Sequence, residues 1–281
     1  MAVRSLQYQM FQLVVGSLIA LSLVFGLAVW LSTTKYVSNQ MDRNLKVAEG
    51  ILQQLLDTRR EQLFNSTRVL ASDFGFKQAV ATRDSATIRS ALLNHGSRID
   101  ADLMVITTLQ GDIIAANDAL KNEDLSIGQQ LNLTLRQGGS TQLSYVSGKL
   151  YQTILLPVNA PIPIAIAMVG FEINQALVNE LKQLTLLDIT FEITRRNGEP
   201  AFISSLQEHQ IKSAVALAAT AEDLLSFDYF ERPDYLSRSL LLDNSNGHEV
   251  RFYLTIPVPE AFQNFNTLRR DIILISVIAA F

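Results

Sequence analysis

Several chemistries are missing from this sequence. The 281 residues include no cysteine, which excludes disulfides and thiolate metal sites. The three histidines, His95, His209 and His248, are far apart and have no second ligand at helical spacing, so we interpret them as surface or capping residues. Phosphate loops, nucleophile elbows, His-Glu-x-x-His motifs and calcium loops are also absent. The sequence therefore predicts no catalytic residue, no metal site and no cofactor.

Charge is sparse as well. The formal net charge is −4, and no basic stripe stands out along the chain. Proteins that bind nucleic acids present clustered Lys and Arg, so we expect no nucleic-acid partner.

No charged side chain occurs between Arg4 and Lys35. About 20 apolar residues in a helix span a bilayer core, which predicts a transmembrane helix over residues 11–32 after a tail over 1–10. The tail is expected in the cytoplasm because it carries Arg4. A signal peptide is not favoured, since the apolar centre is long and no Ala-x-Ala-like site follows it.

A second apolar run begins at Ile272 and is still continuing at Phe281. We interpret residues 259–271 as a connector helix and 272–281 as the start of a second membrane helix. The expected arrangement is a multi-pass protein of the bacterial inner membrane, with the part between the two spans in the periplasm.

Residues 36–84 read as a helical stalk and connector. Apolar residues recur at three- and four-residue intervals, as in an amphipathic helix, at Met41, Leu45, Ala48, Leu52, Leu55, Leu63 and Leu70. The stalk packs against its own domain or forms a dimer, and we expect a homodimer because most oligomers are symmetric. The charged run from Asp57 to Glu61 is interpreted as a solvated face.

Two short helices should follow the stalk. Asp73 can cap one that runs through Val80, and Asp84 can cap another that ends at Gly96. A glycine in that place usually adopts the left-handed conformation. Strand signals then occur at residues 103–109, 113–116, 141–146, 150–158 and 162–173, with a helix-permissive stretch at 117–136.

The same order of elements then repeats. Helices are predicted over 174–184 and 209–219, and strands over 188–194, 201–204, 240–243 and 250–258. A hairpin, a helix and a second hairpin occur twice, which is the order of a PAS-like module. The predicted fold class is α+β: a transmembrane helix, a long signalling helix and two tandem modules with antiparallel sheets.

Over residues 36–260 the chain resembles the double Cache sensor domains of bacterial receptors. The resemblance rests on the segments Leu70–Val80, Asp84–Ile88, Ala91–Arg98 with Asp102, Val158–Ile164 and Gly170–Ile173. It implies a membrane-distal Cache module over 85–173, a membrane-proximal module over 174–258, and a small-molecule ligand.

The resemblance also implies an output. Related receptors place GGDEF or EAL domains after the second span, so control of cyclic di-GMP is expected, and the fragment itself should not be an enzyme. A histidine kinase or a chemoreceptor is the alternative parent, and a module that binds a protein partner without a small ligand is another. The only tryptophan is Trp30 in the membrane helix, so the Arg-x-Trp-Tyr amino-acid motif of better-known relatives is absent.

Two groups of residues are candidates for ligand binding. The resemblance implies a ligand between the sheet and its covering loops, and strand alternation makes Tyr145, Tyr151 and Thr153 candidate polar anchors there. Arg98 and His95 either hold an anionic group of the ligand or join the helices to the first sheet. The structural interpretation of Arg98 and His95 is favoured, because nearby Asp, Asn and Gly residues suit helix ends.

Overall fold

The computed structural model describes most of the chain, namely residues 6–120, 128–195, 198–216, 218–219, 234–243, 248–261, 267, 270 and 271. The predicted second membrane helix, 272–281, lies outside the described residues, as does much of the predicted connector. The chain divides into two compact units. The larger contains Ala48–Ile211 and Ser239–Leu254, and the smaller contains Met1–Val47, Lys212–Arg238 and Thr255–Phe281.

One continuous helix, α1, runs from Leu6 to Ser72. From Met10 onward it is long and apolar enough to cross a membrane, and it is the one such helix among the described residues. The predicted membrane helix and stalk are therefore parts of a single element.

The stalk buries one side at helical spacing. Buried residues follow one another at intervals of three and four: Val37, Met41 and Leu45 in the smaller unit, and Ala48 and Leu52 in the larger. The predicted amphipathic pattern is confirmed at Met41, Leu45, Ala48 and Leu52.

Both predicted N-caps are confirmed. The Asp73 carboxylate accepts a hydrogen bond from the Phe76 amide at 2.8 Å and begins α2, Phe74–Ala81. The Asp84 carboxylate accepts one from the Thr87 amide at 2.9 Å and begins α3, Ser85–Gly96. Each cap satisfies a helical N–H that has no partner inside the helix.

Gly96 ends α3 as predicted, but it is not left-handed. The chain continues through a right-handed Ser97 and turns at Asp100, whose φ is 53°. Gly96 leaves room for a neighbouring side chain instead, because a Cβ at this position would lie 2.7 Å from Met104 Sδ and the Met104 side chain would have to shift. The glycine lets the end of α3 approach the first strand closely.

The first sheet has five antiparallel strands in the order β2-β1-β5-β4-β3. The strands are β1 Leu103–Thr107, β2 Ile113–Ala116, β3 Ser140–Val146, β4 Lys149–Asn159 and β5 Pro163–Glu172, and α4, Gly128–Gln137, precedes β3. The predicted hairpins of the first module are confirmed.

This sheet is covered on both faces. On the first, called the α2–α3 face, Phe76, Ile88 and Leu92 pack with Met104, Ile106 and their neighbours. On the second, called the α4 face, Leu131 of α4 packs with a set of strand residues: Leu103, Val105, Val146, Tyr151, Leu155, Ile166 and Met168. Alternation along each strand assigns successive residues to opposite faces.

The second sheet repeats the strand order of the first, as β7-β6-β10-β9-β8. Its elements are α5 Gln175–Thr185, β6 Asp188–Arg195, β7 Ala201–Ser204, α6 Glu208–Ala216, β8 Ala218–Ala219, β9 Tyr235–Asp243 and β10 His248–Pro257, followed by α7 Val258–Ala261. The predicted α+β fold with two tandem sheet modules is confirmed.

Two local predictions about the second sheet are wrong. The helix predicted to continue to residue 219 ends at Ala216, and Ala218–Ala219 form a short strand that pairs in parallel with β9. Alanine favours a helix, but pairing with Ser237 and Arg238 prevails here. The strand predicted to begin at residue 240 begins at Tyr235.

Candidate functional site

Polar side chains gather in the middle of the α4 face. The register places Gln142 opposite Thr153 and Ser144 opposite Tyr151, and residues directly opposite in an antiparallel pair lie on the same side. All four are buried, with exposed fractions of 8 % for Gln142, 7 % for Ser144, 2 % for Tyr151 and 0 % for Thr153. We call them the hydroxyl–amide cluster.

Hydrogen bonds join three members of the cluster. The Gln142 side-chain amide donates to Ser144 Oγ at 3.1 Å, and the Ser144 and Thr153 hydroxyl oxygens lie 2.9 Å apart. Thr153 also donates to the Gln142 carbonyl at 3.2 Å. Buried polar groups must be paired to avoid a desolvation cost, so the cluster forms a connected neutral network.

Apolar side chains surround this network. Leu155, Met168 and Val105 form the next row along the strands. Gly170 lies between Thr153 and Leu103, and a Cβ there would approach Leu103 Cβ to 3.0 Å. An apolar surface with a few positioned hydrogen-bonding groups is typical of sites that bind small molecules.

Tyr151 connects this face to a charged border. Burial raises the pKa of its phenol, while the nearby Lys149 ammonium opposes that rise. Lys149 donates to the Glu172 carboxylate at 2.7 Å, and Asp102 accepts from the Glu172 amide at 2.7 Å. The Lys149 and Glu172 charges are thus paired at this end of the sheet.

Thr107 lies on the same face but at its other end. It is 0 % exposed, and its hydroxyl has no hydrogen-bond partner among the described residues. Thr107 pairs with Ile166 and Thr153 with Gly170, four residues apart on β5, which is about 13 Å along the strand. A buried hydroxyl without a partner costs about 1–3 kcal/mol. Sequence reasoning missed Thr107, although it is in phase with Leu103 and Val105.

Tyr145, a predicted ligand residue, is on the wrong side. It pairs with Leu150, so its ring lies on the face opposite to Tyr151 and Thr153. The structure brings Tyr151 and Thr153 together on the α4 face. Their neighbours there on β3 are Gln142 and Ser144, not Tyr145. Whether Tyr151 and Thr153 contact a ligand stays a prediction.

His95 and Arg98 are not near the cluster either. Both belong to the α3 region, which packs on the α2–α3 face. His95 Nε2 lies 3.8 Å from Asp73 Oδ1, and the imidazole meets the Phe76 ring edge-on at a centroid distance of 5.5 Å. Arg98 is exposed. The arrangement fits the structural interpretation, in which these residues join helix ends, and places neither in a ligand site on the α4 face.

The prediction that the charged run from Asp57 to Glu61 is a solvated face is wrong at Arg59. Asp57 and Arg60 form an exposed ion pair at 3.0 Å, as a solvated face would. Arg59 is half-buried, and burial lowers its pKa against the opposing attraction of Glu180 and Asp102. Its Nε has no hydrogen-bond partner among the described residues. Neighbouring arginines therefore occupy different environments, which the sequence spacing did not reveal.

A separate cleft lies between α1 and the start of β3. It measures about 240 Å³ and is lined by Arg60, Glu61, Phe64, Asn65 and Thr141. Ligand pockets usually occupy about 300–1,000 Å³, so this cleft is small for a metabolite. No group of three or more His, Asp or Glu side chains suited to a metal occurs within the described part of the chain.

Comparison with known proteins identifies this architecture. Residues 38–227 match the double Cache family model described as a double sensory domain of two-component sensor kinase. No curated protein sequence matches the chain.

Two solved structures are similar. The periplasmic domain of Vibrio cholerae LuxQ has a TM-score of 0.50 at 14 % identity, with 76 % of this chain and 99 % of that chain covered. The sensor domain of the V. cholerae histidine kinase DctB has a TM-score of 0.47 at 13 % identity, with coverages of 79 % and 98 %. At this level of identity, the likeness to LuxQ shows the fold alone.

Proposed function

The chain belongs to the family of double sensory domains of two-component sensor kinases, and from this premise we propose that it binds a small molecule on the α4 face of its first sheet. As a member of this family the chain is a sensor domain, and we propose that it is the extracytoplasmic sensor of a signalling receptor. The more specific proposal concerns where on the domain the small molecule binds.

The hydroxyl–amide cluster is the observation that carries this proposal. It provides neutral donors and acceptors within an apolar layer, and nearby Lys149 and Glu172 already neutralise each other. The ligand best suited to such a lining has an apolar body and an uncharged hydroxyl, carbonyl or amide group, because a bare charge would be buried without a partner.

A thermal-unfolding screen of the full chain in detergent tests the site. A ligand in hundredfold excess over its Kd stabilises the folded state by about 2.7 kcal/mol. Neutral metabolites are expected to raise the unfolding temperature of the wild type, and Thr153→Val and Ser144→Ala should weaken that response. A null result across a broad library would favour a sensor of protein partners.

Matched variants locate the response. Thr190→Val removes a bonded hydroxyl, 2.6 Å from Ser204, in the second sheet, and it should leave the ligand response unchanged. Arg98→Ala should do the same, because Arg98 is on the other side of the first sheet. Equal losses in Thr153→Val and Thr190→Val would contradict the assignment to the α4 face.

We also propose that the receptor is a homodimer joined through the stalk. Val47 and Ile51 are one helical turn apart on α1, and their side chains are 58 % and 43 % exposed. Because the chain has no cysteine, Val47→Cys gives a single thiol for oxidative cross-linking in membranes. A disulfide-linked dimer is expected, with the exposed Asn65→Cys as the control on the same helix; no difference between the two would argue against this interface.

The proposed location is the bacterial inner membrane, with the sensor in the periplasm between α1 and a second span. Two outputs are consistent with this input. The family description favours a histidine kinase, and the sequence resemblance favours GGDEF or EAL domains that control cyclic di-GMP. The coding sequence after Phe281 decides between them: a phospho-acceptor histidine and kinase ATPase motifs would remove the cyclic di-GMP proposal and leave the sensor proposal intact.

A further inference from the structure

Strand β3 is the edge strand of the first sheet, and its outer edge contacts the second module. The Leu143 N–H donates to the Asp243 carboxylate at 2.9 Å. Asp243 is the last residue of β9, so a side chain of the second sheet occupies a backbone donor on the edge of the first. Both residues belong to the larger compact unit.

A second contact lies two residues further along β3. The Tyr145 ring lies against His248, with the ring centroids 5.8 Å apart, and the Arg195 guanidinium carbon lies 5.6 Å from the Tyr145 centroid. His248 begins β10 and Arg195 ends β6. The ends of three strands of the second sheet therefore meet two residues of β3, within the same compact unit.

The residues between these contacts have a different partner. Gln142 and Ser144 belong to the hydroxyl–amide cluster and point into the α4 face, while Tyr145 lies on the other side. Side chains of a strand alternate with a period of two. The side chains of Gln142 and Ser144 thus face the proposed ligand site, whereas the second module contacts the Tyr145 side chain and, at the edge of the sheet, the Leu143 backbone N–H.

We propose that β3 is the element that transmits ligand binding from the first module to the second. A ligand that competes for Gln142 and Ser144 displaces β3, and Leu143 and Tyr145 carry that displacement to the ends of β6, β9 and β10. This proposal rests on the proposed ligand site. A ligand moves such an equilibrium only by binding the two arrangements with different affinity, so the coupling depends on both sides of β3.

The experiment replaces the unidentified ligand with a bulky side chain. Thr153→Phe in the full chain, held in nanodiscs, places a phenyl group opposite Gln142 and displaces β3 from the α4 face. Hydrogen–deuterium exchange is read at the amides of 239–243 and 248–254, which belong to the hairpin that contacts β3. Ser144→Leu is the second probe if Thr153→Phe does not fold.

The expected result is a change on the order of tenfold in hairpin exchange, within the usual 5–150-fold range of coupling. In the background of Tyr145→Ala with Asp243→Ala, the same probe should leave hairpin exchange within about twofold of that background. Leu241→Ala is the matched control on β9, because Leu241 is exposed. When Thr153→Phe is combined with Leu241→Ala alone, the change in hairpin exchange should persist.

Two outcomes would overturn the proposal. In one, hairpin exchange does not respond although exchange within β3 and β4 does. In the other, the response is equally large after both junction residues are removed. Neither outcome depends on finding a ligand, so failure of this transmission proposal is distinguishable from failure of the ligand screen.

Discussion

The two sheets share one strand order but bury different kinds of polar side chain. In the first, both faces are covered mainly by apolar side chains, and the polar groups on the α4 face are neutral. In the second, Phe191 and Phe252 meet edge to face at 5.0 Å on one side. Glu192, next along β6, lies on the other side and accepts a hydrogen bond from Tyr253 at 2.5 Å.

The difference shows that strand order does not determine which polar groups a sheet buries. Burial, and then the hydrogen bond to Glu192, raise the pKa of Tyr253, so the phenol keeps its proton and stays a donor to the carboxylate. The Glu192 carboxylate of the second sheet thus has a hydrogen-bond donor within the protein, the Tyr253 hydroxyl. On the α4 face of the first sheet the hydrogen-bonded polar side chains of the cluster are neutral, and Thr107 has a buried hydroxyl with no partner among the described residues.

The largest effect is expected from the aromatic side of the second sheet. Phe252→Ala should destabilise the protein by about 3–5 kcal/mol, since it removes a buried ring and leaves a cavity. Chemical denaturation of the full chain in detergent measures this loss. Leu241→Ala, an exposed position on the neighbouring strand, should stay within about 0.5 kcal/mol. A similar small loss for Phe252→Ala would show that this face is not a packed core.

A smaller loss is expected at the carboxylate of the same sheet. Tyr253→Phe removes the donor and leaves the Glu192 carboxylate without it, at a cost of about 1–3 kcal/mol. Adding Glu192→Gln should recover part of that loss, because the two residues interact directly and their effects are not additive. Additive losses in this double-mutant cycle would mean that the hydrogen bond contributes nothing to stability.

Loss of a threonine hydroxyl should change the stability of the protein differently in the two sheets. Thr190→Val breaks the bond with Ser204 and should destabilise by about 1 kcal/mol. Thr107→Val removes a hydroxyl that has no partner among the described residues, so stability should stay unchanged or rise. Thermal unfolding of both variants without ligand tests the contrast. A loss at Thr107 as large as that at Thr190 would mean that its hydroxyl is bonded.

The smallest effect concerns pH at the junction of the modules. Burial, and then the nearby Arg195 cation, lower the pKa of His248, so the unfolded chain binds a proton that the folded chain does not. Stability is therefore complete above the ordinary histidine pKa of about 6.5 and declines as the pH falls below it. Unfolding temperatures between pH 7.5 and 5 should decline less for His248→Gln. Arg195→Gln should reduce the decline without removing it, because burial is the larger cause; an identical slope in all three proteins would rule out His248.

Local signals were sufficient for much of the fold. The charge-free run predicted a helix long and apolar enough to cross a membrane, three- and four-residue spacing predicted the stalk, and Asp73 and Asp84 predicted two helix starts. Each depends on residues close together in the sequence, where propensity, capping and periodicity act directly. The repeated order of hairpins and helices was also enough to predict two tandem modules.

The candidate site was predicted only in part, because it depends on pairing between distant residues. Tyr151 and Thr153 were found from alternation within one strand, but Tyr145 was assigned to the same site and Gln142 and Ser144 were missed. A shift of one residue in register moves every side chain to the other face. The spacing within β3 could not reveal that register.

By itself, the sequence determined which run is long and apolar enough to cross a membrane, where α2 and α3 begin and how many sheet modules follow, because these depend on neighbours in the chain. Tertiary structure alone decided that Gly96 leaves room for Met104 and that Arg59 is half-buried beside an exposed Arg60. It also decided that Gln142 and Ser144 lie on the α4 face and Tyr145 on the opposite one. These outcomes depend on which surfaces meet after folding, since burial and non-local pairing override local preference wherever packing decides the environment of a side chain.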